Sequence, residues 1–487
     1  MNISSQSESE YLRMSAVQVR DLLKRKKISS YELTQTVLNR IADLNPIINA
    51  IPTICAERAL KHARALDNLR MEAKSSGDIL AGIPLCIKDL TTVAGVRTTW
   101  GTLGYKDFIP SSSDPIVDRL ELSGGIIIGK SNTPEMGAGN FTSNQVFGIT
   151  RNPWDISRSP GGSSGGTAAA VASGMVWFGH GTDLAGSLRN PAAYCGVVAL
   201  RPTPGRAGGP PLSVLFNTET VHGPIARSVK DAALLLDAMV GYDMRIPISI
   251  ESPHDCFLRK VEEDDGRIVR IGYSHDLNGF ADVDSSIENI LDLALENVDT
   301  ANIRIDKCQP SLPDLFDTYT TLRLMLWGSG PGSQPEDIQK HYNPALKSNI
   351  TQARELSSAD IYRALSNRSK LYRAMLTFFE VYDCLACPVI GKGPDLIQEE
   401  SIKSTNSDGV TDYVKWLRFS FLSPATCLPA MSIPVGLDQK GMPVGIQLIG
   451  KPRGEAELLL IASRLESSFG FNRLPIIPRG TLNISEC

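Results

Sequence analysis

Histidine is scarce in this chain. Its 487 residues hold six, His62, His180, His222, His254, His275 and His341, and none in the last 146 positions. A Ser-His-Asp hydrolase of the strand–turn–helix type takes its histidine late in the chain, after the serine and the acid, so that chemistry lacks a partner here. HExxH and paired Asp/His metal patterns are missing too. The nine cysteines are irregularly spaced, and "CLAC", Cys384 to Cys387, is a lone CxxC in an apolar run; they read as reduced, buried thiols in a cytosolic setting. No apolar run approaches the ~18 residues of a spanning helix. Met1 to Tyr11 is polar and acidic, unlike a signal peptide. A net charge of −4 without clustered basic residues speaks against nucleic acid and membrane surfaces as partners. The expectation is a cytoplasmic chain without metal or cofactor.

What the chain has is an ordinary globular composition, 42% hydrophobic and 21% charged, with 41 glycines. Ser15 with Gln18 and Ser29 with Glu32 form capping boxes ahead of two helices, and Asn45-Pro46 is expected to stop the second. A third helix runs through "AERALKHARALDNLRMEA". The short apolar runs "IPLCIKDL", "GGIIIGK" and "MVWFGHGTD" are bounded by glycines and read as buried strands. Between them lie long loops, Thr98 to Ser113 and Glu135 to Pro160, of a length that is usually functional. Helices and strands then alternate to the end, where "AMSIPVGL" and "PVGIQLIG" flank a hairpin connection. The fold class is α/β, one large domain with a mixed β-sheet core and helices on both faces. Its expected limits are residues 15–478, between tails at 1–14 and 479–487.

Two motif matches dissolve on inspection. "GGIIIGKS", Gly124 to Ser131, fits a phosphate-loop pattern letter by letter, but three isoleucines fill the loop positions and favour an extended buried strand. "GGSSG", Gly161 to Gly165, fits the G-x-S-x-G elbow around Ser163, without the late histidine.

A third pattern is much larger. "SPGGSSGGTAAAVASG", Ser159 to Gly174, is followed by "GHGTDLAGSLRNPAAYCG", which places Ser187 twenty-four residues after Ser163; Lys88 lies seventy-five residues before it, in "GIPLCIKDL". These segments, with "NTPEMG", "NPWD" and "CLPAMSIPVGLDQKGMPVGIQLIG", resemble the amidase signature family over nearly the whole chain. The resemblance implies a signature core at about residues 80–225 and a variable pocket region at about 310–425. It implies that Ser187 is the nucleophile, Ser163 the bridging serine joined to Gly162 by a cis peptide bond, and Lys88 the terminal base. It assigns the oxyanion donors to the N–H groups of Leu184, Ala185, Gly186 and Ser187, support to Asp183 and Arg189, and a substrate-contacting backbone position to Gly137. Ala185 stands where the family most often has glycine. Ser159 and Ser164 are expected to bond nearby backbone.

The residues make chemical sense of this. A serine hydroxyl needs an adjacent base, and a lysine serves only when neutral, so its pKa must fall from ~10.4 toward neutrality. Burial does that, and Lys88 follows the apolar run Ile83 to Ile87. The expected reaction is hydrolysis of a small amide, and of aryl esters and carbamates, through an acyl-enzyme. The alternative is the amidase-like subunit of a glutamine-dependent tRNA amidotransferase; a homodimer is compatible with either. Tyr319, Trp327, Trp416, Phe419 and Phe421 are candidates to wall the pocket, with core packing as the competing reading. On an apolar wall, charged amino-acid amides should be poor substrates for want of a burial partner.

Overall fold

The strands that carry the signature sit side by side near one end of a long sheet. The computed structural model describes residues 10–71, 78–209, 214–299, 301–398 and 417–479. In chain order its strands are β1 (Thr53–Ile54), β2 (Pro84–Lys88), β3 (Ile126–Ser131), β4 (Ser143–Asn144), β5 (Gly148–Ile149) and β6 (Phe178–Asp183). There follow β7 (Val198–Arg201), β8 (Val221–Ala226), β9 (Val269–Tyr273), β10 (Ile303–Lys307), β11 (Cys384–Pro388), β12 (Ala430–Leu437) and β13 (Pro443–Gly450). Eleven of them form one mixed sheet in the order β1-β3-β2-β6-β8-β7-β12-β13-β11-β9-β10.

Strand β2 runs parallel to both β3 and β6, while β6 pairs antiparallel with β8. Every residue of β2, β3 and β6 is buried, which explains their continuous apolar character. "GGIIIGKS" is therefore strand, and its Lys130 forms a buried ion pair with Asp89 at 2.9 Å. "CLAC" forms most of β11; burial pushes the Cys387 thiol up to about 12.

Both capping boxes are formed. The second helix, Ser30–Ile48, does not stop at Asn45-Pro46. It ends three residues after Pro46, where Asn49 takes a left-handed conformation (φ 55°). Asn45 completes the end: its Oδ1 accepts from the N–H groups of Ala50 and Ile51 at 2.8 and 2.9 Å. Proline lacks only the N–H that would reach the carbonyl four residues back, so near the terminus it costs the helix one bond, while Asn45 satisfies the first N–H groups beyond the end. At the N-terminus the expected tail packs from residue 10 onward, with Tyr11, Leu12 and Met14 against the core. No helix among the described residues is long and apolar enough to cross a membrane.

Candidate active site

Parallel pairing brings the C-terminal ends of β2 and β6 to the same edge of the sheet. Lys88 closes β2, and Thr182 and Asp183 close β6. The chain then turns through Leu184 to Leu188 into the helix Arg189–Cys195. The Gly/Ser stretch enters from the other side and opens the helix Gly165–Ala172, whose residues are all buried. The Gly162–Ser163 peptide is cis.

These elements place the Lys88 amine, which has no exposed surface, among three hydroxyls. Its Nζ lies 2.6 Å from Ser163 Oγ, 2.9 Å from Ser164 Oγ and 3.0 Å from Thr182 Oγ1. Burial pushes its pKa well below that of an ordinary lysine, and the charge of Asp183 opposes the shift more weakly. Ser163 is itself nearly buried, and it lines a cavity of about 340 Å³ together with Ser187 and Gly137. A Cβ on Gly137 (φ 74°) would come within 2.7 Å of Leu90 Cδ1 and 3.5 Å of Ser163 Oγ, which puts this glycine directly beside Ser163.

Ser159 bonds backbone as expected, accepting from the Gly161 N–H at 3.0 Å. Ser164 does more. It stands at the N-cap of Gly165–Ala172 but gives that helix no side-chain cap. Its hydroxyl donates to the Thr182 carbonyl at 3.2 Å and meets Lys88 instead. Thr182 lies within the signature segment, but the resemblance gives it no role.

Asp183 organises the turn that holds Ser187. It takes Arg189 in a fork, Nε to Oδ2 at 3.0 Å and Nη2 to Oδ1 at 2.9 Å, with Arg201 Nη1 at 3.2 Å from Oδ1. Burial alone would raise this carboxyl; the two guanidinium groups outweigh it and hold it well below the usual carboxylate range. The same carboxylate accepts from the N–H of Gly186 at 3.0 Å and of Leu188 at 3.1 Å. The Gly186 N–H, one of the four expected oxyanion donors, is thus engaged by this carboxylate. The N–H groups of Leu184, Ala185 and Ser187 meet no protein acceptor among the described residues.

The alanine at 185 is accommodated because the left-handed position falls one residue later, on Gly186 (φ 91°). A Cβ at Gly186 would lie 2.2 Å from Ser420 Oγ. The Ala185 methyl packs against an apolar cluster that includes Tyr319 and Phe421. Those two rings stack at 4.0 Å, and Tyr319 Oη donates to the Leu184 carbonyl at 3.4 Å. Tyr319, Phe419 and Phe421 therefore pack behind the turn, and the core reading holds for them. Trp327 does line the cavity. Trp416 lies outside the described residues.

Trp100, Tyr105 and Met136 complete the apolar wall, the first two from the long loop that starts at Thr98. Part of the lining is polar. Asp114 and His222 reach the cavity there, so the expected lack of a burial partner for a charged substrate is not met. His222 faces Thr182 across the β6–β8 pairing and shares a hydrogen with His180, Nδ1 to Nε2 at 2.7 Å. The scarce histidines near the site thus bond each other, and Ser163 bonds a lysine.

Residues 32–459 match the Amidase family profile. The chain is 34% identical to a glutamyl-tRNA(Gln) amidotransferase subunit of Moorella thermoacetica, over 94% of this chain and 97% of that one. It is 32% identical to an acylamidase of Rhodococcus erythropolis, over 93% and 95%. A solved bacterial aryl acylamidase of the amidase signature family superposes with a TM-score of 0.86 at 25% identity, covering 96% of this chain and 99% of its own. With the mixed sheet, the buried lysine at the end of β2 and a profile match over most of its length, the chain belongs to the amidase signature family.

Proposed function

We propose that the chain hydrolyses small-molecule amides through an acyl-enzyme on Ser187, with Ser163 and Lys88 as proton relay. The observation that carries this reading is the fully buried Lys88 amine, 2.6 Å from Ser163 Oγ and surrounded by hydroxyls. Its hydrogens can be assigned. The Ser164 hydrogen goes to the Thr182 carbonyl, so Ser164 Oγ accepts one N–H of a neutral Lys88. Thr182 Oγ1 accepts the other, and the lone pair is left for the Ser163 hydroxyl.

Lys88 then accepts the Ser163 proton as Ser163 accepts that of Ser187. Ser187 Oγ attacks the carbonyl carbon, forming the C–O bond and an oxyanion that the N–H groups of Leu184, Ala185 and Ser187 stabilise. Ser163 passes its proton to the departing nitrogen and regains one from Lys88 as the C–N bond breaks. Water repeats the sequence on the ester and releases the acid. The aromatic wall of Trp100, Tyr105 and Trp327 favours an aryl or alkyl group on the substrate. The mechanism asks of the leaving group only protonation, so aryl esters and N-aryl carbamates turn over with anilides.

The test is a panel of a p-nitroanilide, its ester, an N-aryl carbamate and glutamine on the purified chain, with a serine-reactive phosphonate as label. Label on Ser187 and its loss in Ser187→Ala are expected; label on Ser163 refutes the assignment. The likeness to the Moorella protein favours a second reading, a component of an amidotransferase. Turnover of glutamine with the aryl compounds inert would select it.

A further inference from the structure

The cavity lining holds a carboxylate without a counter-ion. Asp114 is only 8% exposed, and Oδ1 accepts the Ile116 N–H at 3.3 Å as N-cap of the helix Pro115–Leu122. No Lys, Arg or His pairs with it among the described residues. Arg245 acts on it from a distance and is itself paired with Asp118 and Asp243. His222 does not neutralise it either, because burial lowers the imidazole pKa and keeps the ring uncharged near neutral pH.

Three other buried carboxylates have cations in contact: Asp89 with Lys130, Asp183 with Arg189 and Arg201, Glu455 with Arg206. Burial raises the Asp114 pKa, the signature of a carboxylate short of positive charge. Thr91 Oγ1, also buried and lining the same cavity, meets no hydrogen-bond partner. The Asp114 carboxylate thus lines a cavity that Trp100, Tyr105 and Trp327 also line. Aromatic faces and a carboxylate together favour a cation.

We propose that Asp114 binds a protonated amine carried by the substrate, so that the preferred substrates are amides bearing a primary amino group away from the scissile bond. This rests on the amide-hydrolase reading above. The ammonium donates to the Asp114 carboxylate, and the apolar linker lies along the aromatic residues of the lining.

Two matched pairs test it, one for each side of the scissile bond: butanoyl against 4-aminobutanoyl p-nitroanilide, and acetanilide against its para-aminomethyl derivative. In at least one pair the wild-type protein should favour the amine in kcat/KM by about tenfold, the ratio one charge-assisted hydrogen bond supplies. In Asp114→Asn the amine-to-neutral ratio should fall close to one. Asparagine keeps the helix cap, and Asp114→Ser, which also caps, is the second variant. Ratios near one for the wild type in both pairs overturn the proposal, as does a preference that survives both variants. A wild-type chain inert toward every amide overturns the hydrolase reading instead.

Discussion

Exchanging Lys88 for methionine keeps the length of the side chain and removes the amine, which makes its protonation state measurable as stability. In the unfolded chain a lysine stays charged up to a pKa of about 10.4. In the folded protein Lys88 has no exposed surface, and burial takes its pKa well below that value. Between the two values the unfolded chain binds one proton more than the folded one, so stability rises with pH. The slope is about 1.4 kcal/mol per pH unit, or up to about 2.7 kcal/mol between pH 8 and 10. Below the folded pKa, and above 10.4, the slope vanishes. Lys88→Met also breaks the bonds to Ser163, Ser164 and Thr182. That cost is an offset independent of pH. Other titrating groups, Lys130 included, are common to both proteins and cancel in the difference. Urea unfolding of the two proteins at half-unit steps from pH 7.5 to 10.5 supplies that difference. It should climb in favour of wild type as pH rises, and kcat/KM for an anilide should rise through a limb at the same folded pKa. A difference that stays flat means an ammonium in the folded protein, and the general-base role of Lys88 falls with it.

Lys88→Arg should be as inactive as Lys88→Ala, since a guanidinium keeps its proton at working pH; measurable anilide turnover by the arginine variant would sink the relay. Ser164→Ala and Thr182→Val each remove one acceptor that orients the amine, and each should lower kcat about tenfold with KM little changed; wild-type kcat in both would dismiss the hydrogen assignment. Asp183→Asn leaves Arg189 and Arg201 buried without an anion, and should cost about 3–5 kcal/mol in urea unfolding. Gly186→Ala should lower stability by at least about 2 kcal/mol, from a left-handed backbone position and the close approach to Ser420; an unchanged midpoint would mean that the turn relaxes.

Local signals in the sequence are faithful where the cause is local. The capping boxes at Ser15 and Ser29, the buried strands β2, β3 and β6 and the hairpin between β12 and β13 follow from capping chemistry, apolar runs and turn residues. Lys88 and Ser163 can be linked across seventy-five positions because two Gly/Ser segments form a long and specific pattern. What the sequence does not carry is what the sheet brings together. His222 reaches the site because β8 pairs with β6 in a register that sets it opposite Thr182, and the resemblance gives neither residue a role. Asp114 carries no mark of a site in the sequence; in the structure it is the N-cap before Pro115. Phe419 and Phe421 are ambiguous for a different reason: an aromatic residue looks the same whether it faces a cavity or the back of a turn. The stop expected at Asn45-Pro46 is misplaced because proline's effect is weak so close to a helix end.

The cavity has one consequence for how such a protein can change. The groups proposed to move protons come from β2, the Gly/Ser stretch and the turn after β6, all deeply packed, whereas the aromatic wall comes from the loop after Thr98 and the helix Leu315–Ser329. Chemistry and selectivity are thus inherited on separate lengths of chain. Substitution at Trp100, Tyr105 or Trp327 can alter which molecules are admitted and leave the Lys88–Ser163 distance as it is. A directed-evolution library confined to those three positions therefore explores new specificities from an intact reaction centre, whereas one spread over Ser159 to Gly174 mostly samples dead proteins.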